Sequence, residues 1–473
     1  MTLSTRVAHN TIIQIISKII STVLGLAAVA IMARYLGQTG FGQYTTIFTF
    51  LSFFAIISDF GLTLVTAQMI SRPDADEEKI LNNLFSLRLF SAVIFLAAAP
   101  LLVIFFPYEP VIKLGVALGA ATFLFIALNQ IIVGLFQKNL SMGRAAAAEI
   151  ISRLFLVAGT ASAVFFHFGL MGMIGATVFS SAANFFLHYL FSRKFFRLRF
   201  AFDRDIWKEI FKKTWPLALT IAFNLVYLKA DTLILSLVKT QAEVGIYDAA
   251  YKVIDVLVSI PFMFAGVILP ILALSWAEGS RERFAGVFQK SFDVLVIMAA
   301  PLMVGTQFVA GKTMTLIAGD EFAASGPVLR LLIGAAGLIF LNSMFAHGII
   351  AMDKQKKVIG AYIFTGITAV AGYLIFIPRY SYFGAAAVTI YSELAIAAAS
   401  AYIFRKYAAY FPNFKIFAKA AAASLLMGLV LYLLPPLNLF FLLLSASFSY
   451  FLFLYVLKGL NFISLKKIIF GSL

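Results

Sequence analysis

The sequence predicts an all-α polytopic membrane protein with about fourteen transmembrane helices, and three observations predict it. Of the 473 residues, 62% are hydrophobic and only 12% charged, where an ordinary soluble domain carries roughly 25% charge. The apolar residues gather in runs of about twenty, the length that crosses a bilayer core. Lys and Arg fall between the runs in rich and poor loops that alternate, as the positive-inside rule requires. A mean hydropathy of +0.97 fits the same class.

In chain order the runs lie near 11–33, 44–70, 84–106, 112–135, 149–168, 171–192, 214–237 and 246–274, then 288–309, 327–351, 357–377, 383–404, 416–434 and 438–457. Each is expected to be a helix, because a backbone in hydrocarbon must satisfy its own hydrogen bonds. With both termini cytoplasmic, the inner segments and adjacent helix ends hold 28 of the 37 Lys and Arg. The outer ones hold six, Arg34, Lys113, Lys239, Lys312, Arg330 and Arg379. Lys18, Lys229 and Lys252 lie deeper within helices. A missed or invented helix would break this alternation, so a multi-pass protein of the inner (cytoplasmic) membrane is expected. Trp207, Trp215 and Trp276 all fall at the expected cytoplasmic interface, where amphipathic rings settle.

Composition also excludes. The net charge of +16 is accounted for by orientation, so nucleic acid is not an expected partner. Without cysteine there are no disulfides, thiolate metal sites or cysteine nucleophiles. The four histidines stand at no metal-ligand spacing, and neither a metal nor a cofactor is expected. The first run, long enough to span and interrupted by Lys18, reads as an uncleaved helix rather than a secretory signal.

Between the first two runs stands ARYLGQTGFGQY, Ala33–Tyr44. A phosphate-cradling glycine loop would follow a strand and open a helix in a nucleotide-binding unit, whereas this one joins two membrane helices. Arg34 can meet the last carbonyls of the first helix. Gly37, Gly40 and Gly42 permit a tight reversal and close helix approach.

The most basic stretch, Arg193–Pro216, sits at the midpoint of the first twelve runs. Asp203 suits a helix N-cap. Ile206, Trp207, Ile210 and Phe211 follow as one apolar stripe, with Arg204, Lys208, Lys212 and Lys213 on the other faces. This predicts an amphipathic helix lying in the membrane interface, its cations near anionic headgroups.

On either side of this bridge the chain repeats weakly. FGQY at Phe41–Tyr44 returns as VGIY at Val244–Tyr247, 203 positions later. Leu128 and Asn129 return as Leu341 and Asn342, 213 later, and GAT at Gly175 as GAA at Gly384, 209 later. Three echoes in one order at nearly constant offset predict two six-helix halves in parallel duplication. The expected organisation is therefore a six-helix bundle at 1–192, a cytoplasmic linker at 193–213 and a second bundle at 214–404. Two additional helices and a cytoplasmic tail fill 405–473.

With these residues in view, the chain resembles the prokaryotic polysaccharide flippases of the multidrug/oligosaccharidyl-lipid/polysaccharide exporter superfamily. The resemblance begins near His9–Thr11 and Ala33–Tyr44. It continues through DFGLTLVTAQMISR (Asp59–Arg72) and KADTLILSLVKTQAEVGIYDAAYKVIDVL (Lys229–Leu257), and ends with YFGAAAVTIYSE (Tyr382–Glu393). It implies two six-helix bundles arranged as a V around a central cavity that opens alternately to either side. It also implies a sugar unit on a polyprenyl diphosphate as substrate. The thirteenth and fourteenth helices are similar in number to those of lipid-II flippases, whereas drug-exporting relatives usually stop at twelve.

Ionisable residues inside the membrane are costly and mark functional candidates. Lys18, Lys229 and Lys252 are expected as cavity cations that attract the diphosphate, with Arg88 and Arg153 as a funnel near the cytoplasmic ends of their helices. The plain structural alternatives stand beside this. Lys252 and Asp255 can neutralise each other at i, i+3, and Lys18, Arg88 and Arg153 can snorkel to the headgroups. Asp59, Asp231, Asp255 and Glu393 are candidates for a coupled proton or Na+, or for buried structural partners.

The function expected is translocation of a polyprenyl-diphosphate-linked oligosaccharide from the cytoplasmic to the outer leaflet, without catalysis. Membrane lipid and polysaccharide polymerases are the expected partners. A cation-coupled drug exporter on the same scaffold would want an acidic or apolar cavity, which the lysines oppose. A membrane polymerase would want a large outer loop or an acidic motif. The longest outer loop, near 310–326, holds only Asp320 and Glu321.

Overall fold

The computed structural model describes residues 3–59, 61–70, 76–139, 141–195, 198–435 and 437–459, with side chains except at 3–12, 64–65, 67–68 and 215–228. The side chains of His9–Thr11 and Trp215, and the Ser71–Arg72 end of the second motif, lie outside the described residues. The described chain is built from α-helices and short 3-10 turns, without a strand among the described residues. In order the helices are α1 (Leu3–Asp59), α2 (Leu62–Ile70), α3 (Glu77–Leu102), α4 (Pro110–Lys138), α5 (Met142–Phe165), α6 (Gly169–Ser192) and α7 (Arg204–Val238). There follow α8 (Gln241–Ala277), α9 (Arg281–Ala318), α10 (Ser325–Ala351), α11 (Ile359–Ala408), α12 (Lys415–Leu433) and α13 (Leu439–Val456). Among the described residues, eleven helices are long and apolar enough to cross a membrane.

Two of the eleven each contain two of the runs read from sequence. α1 bends at Gly37, whose φ of 63° and ψ of −177° lie in a region that is essentially glycine-only. The reversal expected from the glycines is there, but most of the loop is helical backbone around one residue. α11 bends at Ser381, with φ 52° and ψ −137°.

Conversely, the single run at 44–70 is broken. α1 ends at Asp59, Gly61 takes φ 79° and α2 restarts at Leu62. Asp59 explains the break locally, because its carboxylate accepts from Gly61 N at 3.1 Å and from Thr63 Oγ1 at 2.5 Å. Short polar side chains of this kind compete with the helix for backbone donors.

The chain divides into two compact units, Met1–Asp248 with Tyr373–Tyr382, and Ala249–Gly372 with Phe383–Leu473. In the first, Ile47, Phe50 and Leu51 of α1 pack with Ile112 and Val116 of α4 and Ile174 of α6. A separate cluster joins Leu81, Leu84 and Phe85 of α3, Ile131 and Leu135 of α4, and Ile210 of α7.

That second cluster refines an expectation. Of the stripe Ile206, Trp207, Ile210 and Phe211, the first three pack on protein, with Ile210 fully buried, while Phe211 is exposed. Burial of such a side chain stabilises by about 1.5–3 kcal/mol, and α3 offers the apolar surface. The helix opens as the N-cap predicts, with Asp203 accepting from Asp205 N and Ile206 N. It then runs without a break to Val238, so the amphipathic start and the seventh run form one helix.

In the second unit Phe284, Phe288 and Phe292 recur every fourth residue along α9 and meet Phe345 of α10 and Phe404 of α11. The Phe288 and Phe404 rings stack with centroids 4.2 Å apart. α12 and α13 belong to this core through Met427, Leu431, Tyr450 and Leu454. Tyr450 Oη also donates to Ile297 O of α9 at 2.7 Å.

Candidate functional site

The candidate charges divide into neutralised and exposed groups. Arg88 of α3 is 3% exposed and ion-paired with Asp59. Its Nε donates to Ala127 O at 3.1 Å and an Nη to Thr63 Oγ1 at 3.2 Å. The sequence candidates Arg88 and Asp59 are thus brought together, as a clamp over the break between α1 and α2. A buried guanidinium needs such a partner, since burying a charge alone is prohibitive.

Lys18 and Arg153 are placed differently. Lys18 is exposed on α1. Gly25, seven residues on and so two turns along the same face, is overlaid by Arg153 of α5, whose Nη1 lies 3.9 Å from where a Cβ on Gly25 would stand. Among the described residues neither cation has an acidic partner, and Glu149, one turn before Arg153, makes no ion pair with it. Lys18 thus stands two turns along the α1 face that Arg153 overlies, and among the described residues neither cation makes an ion pair.

A third group gathers where α7 ends and α8 begins. Asp231 is buried and accepts from Tyr247 Oη at 2.7 Å and from Thr232 N at 2.6 Å. Lys229, half-buried, is close enough for its charge to act on it. One turn into α8, the backbone of Gly245 meets that of Gly42. A Cβ on Gly42 would run into the carbonyl of Gln241, and a Cβ on Gly245 into that of Gln38. Beside this crossing Thr46 Oγ1 donates to Gln241 Oε1 at 2.6 Å, and Thr45 Oγ1 to Asp248 Oδ2 at 2.7 Å. Ser381, at its bend, donates to Glu243 Oε1 at 2.6 Å.

In the second unit Lys252 is half-buried and Asp255 exposed, with no ion pair between them among the described residues. Glu393 is buried on α11, where its charge acts on Tyr362 of the same helix. His188 and His347 each bond a carbonyl one turn back, Asn184 O at 2.9 Å and Ser343 O at 2.7 Å.

Sequence reasoning missed Tyr247, Asp248, Thr45 and Gln241, although a signal existed. The offset of 203 that equates Tyr44 with Tyr247 also equates Gln38 with Gln241, Gly42 with Gly245 and Thr45 with Asp248. Asn82, Asn83 and Ser86 of α3 were missed too, looking like an ordinary polar helix start.

The comparisons with known proteins agree with this architecture. The family described as polysaccharide biosynthesis protein matches residues 7–276, more than half of the chain. The chain is similar to the teichuronic acid biosynthesis protein TuaB of Bacillus subtilis (strain 168), 24% identical over 331 residues. That match takes in 68% of this chain and 66% of TuaB, just under two thirds of the relative. It is similar to the probable low-salt glycan biosynthesis flippase Agl15 of Haloferax volcanii, 21% identical over 405 residues, or 81% of this chain and 80% of Agl15. In fold it resembles the lipid II flippase MurJ in an inward closed conformation, with a TM-score of 0.75 at 16% identity over 93% of this chain and 97% of MurJ. A family match over that much of an all-helical, membrane-crossing chain places it: it belongs to the polysaccharide biosynthesis protein family.

Proposed function

We propose that this protein carries a polyprenyl-diphosphate-linked oligosaccharide from the cytoplasmic to the outer leaflet by alternating access, for surface polysaccharide assembly. The observation that carries the reading is the α1–α5 face, where Lys18 and Arg153 make no ion pair among the described residues. Cations within membrane spans are costly unless an anion meets them, and a diphosphate crossing the bilayer is such an anion. The attraction grows as the local dielectric falls. Arg88, already neutralised by Asp59, is a brace in this scheme rather than a substrate ligand. Lys229 and Lys252 are the next cations in line. Asp231, Asp255 and Glu393 remain the carboxylates through which a proton or Na+ would couple.

The family supports polysaccharide assembly, and the relatives' names, one a teichuronic acid protein and one a glycan flippase, support the substrate class. The repeat supports bundles at 1–192 and 214–404 joined by 193–213, with 405–473 added and both termini cytoplasmic. Polymerases of the same polysaccharide would then act on the delivered substrate.

The test is translocation in proteoliposomes. A fluorescent polyprenyl-diphosphate sugar should cross with wild-type protein. Lys18→Gln with Arg153→Gln should lower the rate tenfold or more while the melting temperature stays within a degree or two. An unchanged rate removes the cationic-face mechanism. Transport of a cationic drug panel with no movement of the sugar lipid removes the substrate class.

A further inference from the structure

The segment 199–203 is strapped to α3 by its backbone. Arg199 N donates to Asn82 Oδ1 at 2.6 Å, Ala201 N to Ser86 Oγ at 2.9 Å and Asp203 N to Asn83 Oδ1 at 2.7 Å. Lys79 Nζ pairs with Asp203 Oδ2 at 2.6 Å. Lys79, Asn82, Asn83 and Ser86 stand at i, i+3, i+4 and i+7, a single face of α3. Because alternate N–H groups turn toward α3, Phe200 and Phe202 are left 78% and 73% exposed.

These two rings, with Trp207 and with Leu89, Phe90 and Val93 of α3, wall a groove of about 650 Å³ whose only other lining residues are Ser86 and Ala201. The Trp207 ring is held by its neighbours, 4.8 Å from Phe202 and 6.2 Å from Phe90 between centroids.

Cations stand around this apolar slot. Arg204, Lys208 and Lys212 recur every fourth residue and so share one face of α7, adjoining Trp207. With Arg199 they are exposed, and none makes an ion pair among the described residues. Of the acids nearby, Asp203 pairs with Lys79 and Glu209 with Lys213, while Asp205 makes no ion pair among the described residues.

We infer that this groove binds one anionic phospholipid of the cytoplasmic leaflet, with an acyl chain along the aromatic wall and the phosphate at Arg204 and Lys208. Apolar walls alone would take any lipid chain. The uncompensated cationic row beside them selects a negative headgroup, since basic residues at a membrane surface are drawn to anionic lipid. The groove lies where the positive-charge bias places the cytoplasmic side. It opens over the exposed residues Phe90 and Val93 of α3, and its lining includes neither Lys18 nor Arg153, the cations assigned to the sugar lipid. A resident phospholipid therefore fits it better than the transported one. Bound there, it closes the strap that leads into α7, so lipid composition would set the stability of the chain between the two repeats.

Delipidated protein in neutral detergent tests this, with phosphatidylglycerol or phosphatidylcholine added back. Phosphatidylglycerol should raise the melting temperature by several degrees and survive as an adduct in native mass spectra, while phosphatidylcholine should do neither. Arg204→Gln with Lys208→Gln should at least halve the phosphatidylglycerol shift without altering the lipid-free melting temperature. Phe200→Ser with Phe202→Ser, at exposed positions, should lose the adduct. Equal shifts from both lipids, or full retention by the charge variant, would overturn the assignment. Displacement of phosphatidylglycerol by an equimolar polyprenyl phosphate would overturn it in favour of the sugar lipid.

Discussion

Thr45 donates its hydroxyl to Asp248 at 2.7 Å, and the two residues stand 203 positions apart, the offset at which FGQY returns as VGIY. One turn back, the equivalent Gly42 and Gly245 touch through their backbones, each against the carbonyl of Gln241 or Gln38, themselves an equivalent pair. Small residues let the start of the second run and the start of α8 cross at backbone distance.

That crossing makes a sharp prediction. Gly42→Ala and Gly245→Ala each place a methyl against backbone, which cannot rotate away as a side chain can. Overpacking of this kind costs about 1–3 kcal/mol and sometimes more. Both variants should melt several degrees below wild type in detergent. By contrast Gly266→Ala, where nothing lies within 4 Å of the new methyl, should melt with wild type. Equal melting of all three would remove the close contact.

The hydroxyl bond predicts an asymmetry. Asp248 is 4% exposed, and taking a donor from a buried acceptor costs about 1–3 kcal/mol. Thr45→Val should therefore destabilise clearly. Thr45→Ser, which keeps the hydroxyl, should lose less than half as much, and Asp248→Asn, still an acceptor, should also be mild. Thermal unfolding of the three variants decides it. A Thr45→Val protein as stable as Thr45→Ser would mean that the bond contributes nothing.

Much of this fold was legible in sequence, for stated reasons. Run length shows where the long apolar helices lie, because hydrocarbon forbids anything but closed backbone bonding. Gly37 and the Asp203 cap are local signals, and both act where they were read. Partnership across helices was not legible. Asp59 and Arg88 are 29 residues apart on different runs, and only the packing of α3 against α1 and α2 turns two lone intramembrane charges into a pair. The stripe of Ile206, Trp207 and Ile210 has the period of a lipid-facing helix and of a protein-packed one alike. The α3 surface that covers it decides between them. The repeat was read as likeness; that its members also touch could be seen only in three dimensions.

The Asp59–Arg88 clamp predicts strong coupling. Removing one partner of a buried ion pair costs about 3–5 kcal/mol, because the other charge is left uncompensated. Arg88→Met and Asp59→Asn should each be strongly destabilised, Arg88→Met the more so because it also frees Thr63 and the Ala127 carbonyl. The double variant should melt above the sum of the two losses, a coupling of about 1–3 kcal/mol in a double-mutant cycle. Strict additivity would show that the two side chains do not support each other.

Asp203 ties the linker to α3 and caps α7, and both roles use its ionised form. The Lys79 ammonium, with the amides of Ile206 and Asp205, holds its carboxyl below the ordinary carboxylate range. A pKa depressed on folding contributes stability that is fully present above the unfolded value, near ~3.9, and is lost as pH falls through the folded one. Docking of 199–203 should therefore be constant from pH 8 to pH 5 and weaken only below about pH 4. The absence of cysteine allows an environment-sensitive fluorophore to be placed uniquely with Arg199→Cys. Its emission should be flat to pH 5 and then move toward that of the free dye. Adding Asp203→Asn should give the altered emission at neutral pH and remove the acid transition. A transition that persists in Asp203→Asn, or one centred above pH 5, would assign the strap to other groups.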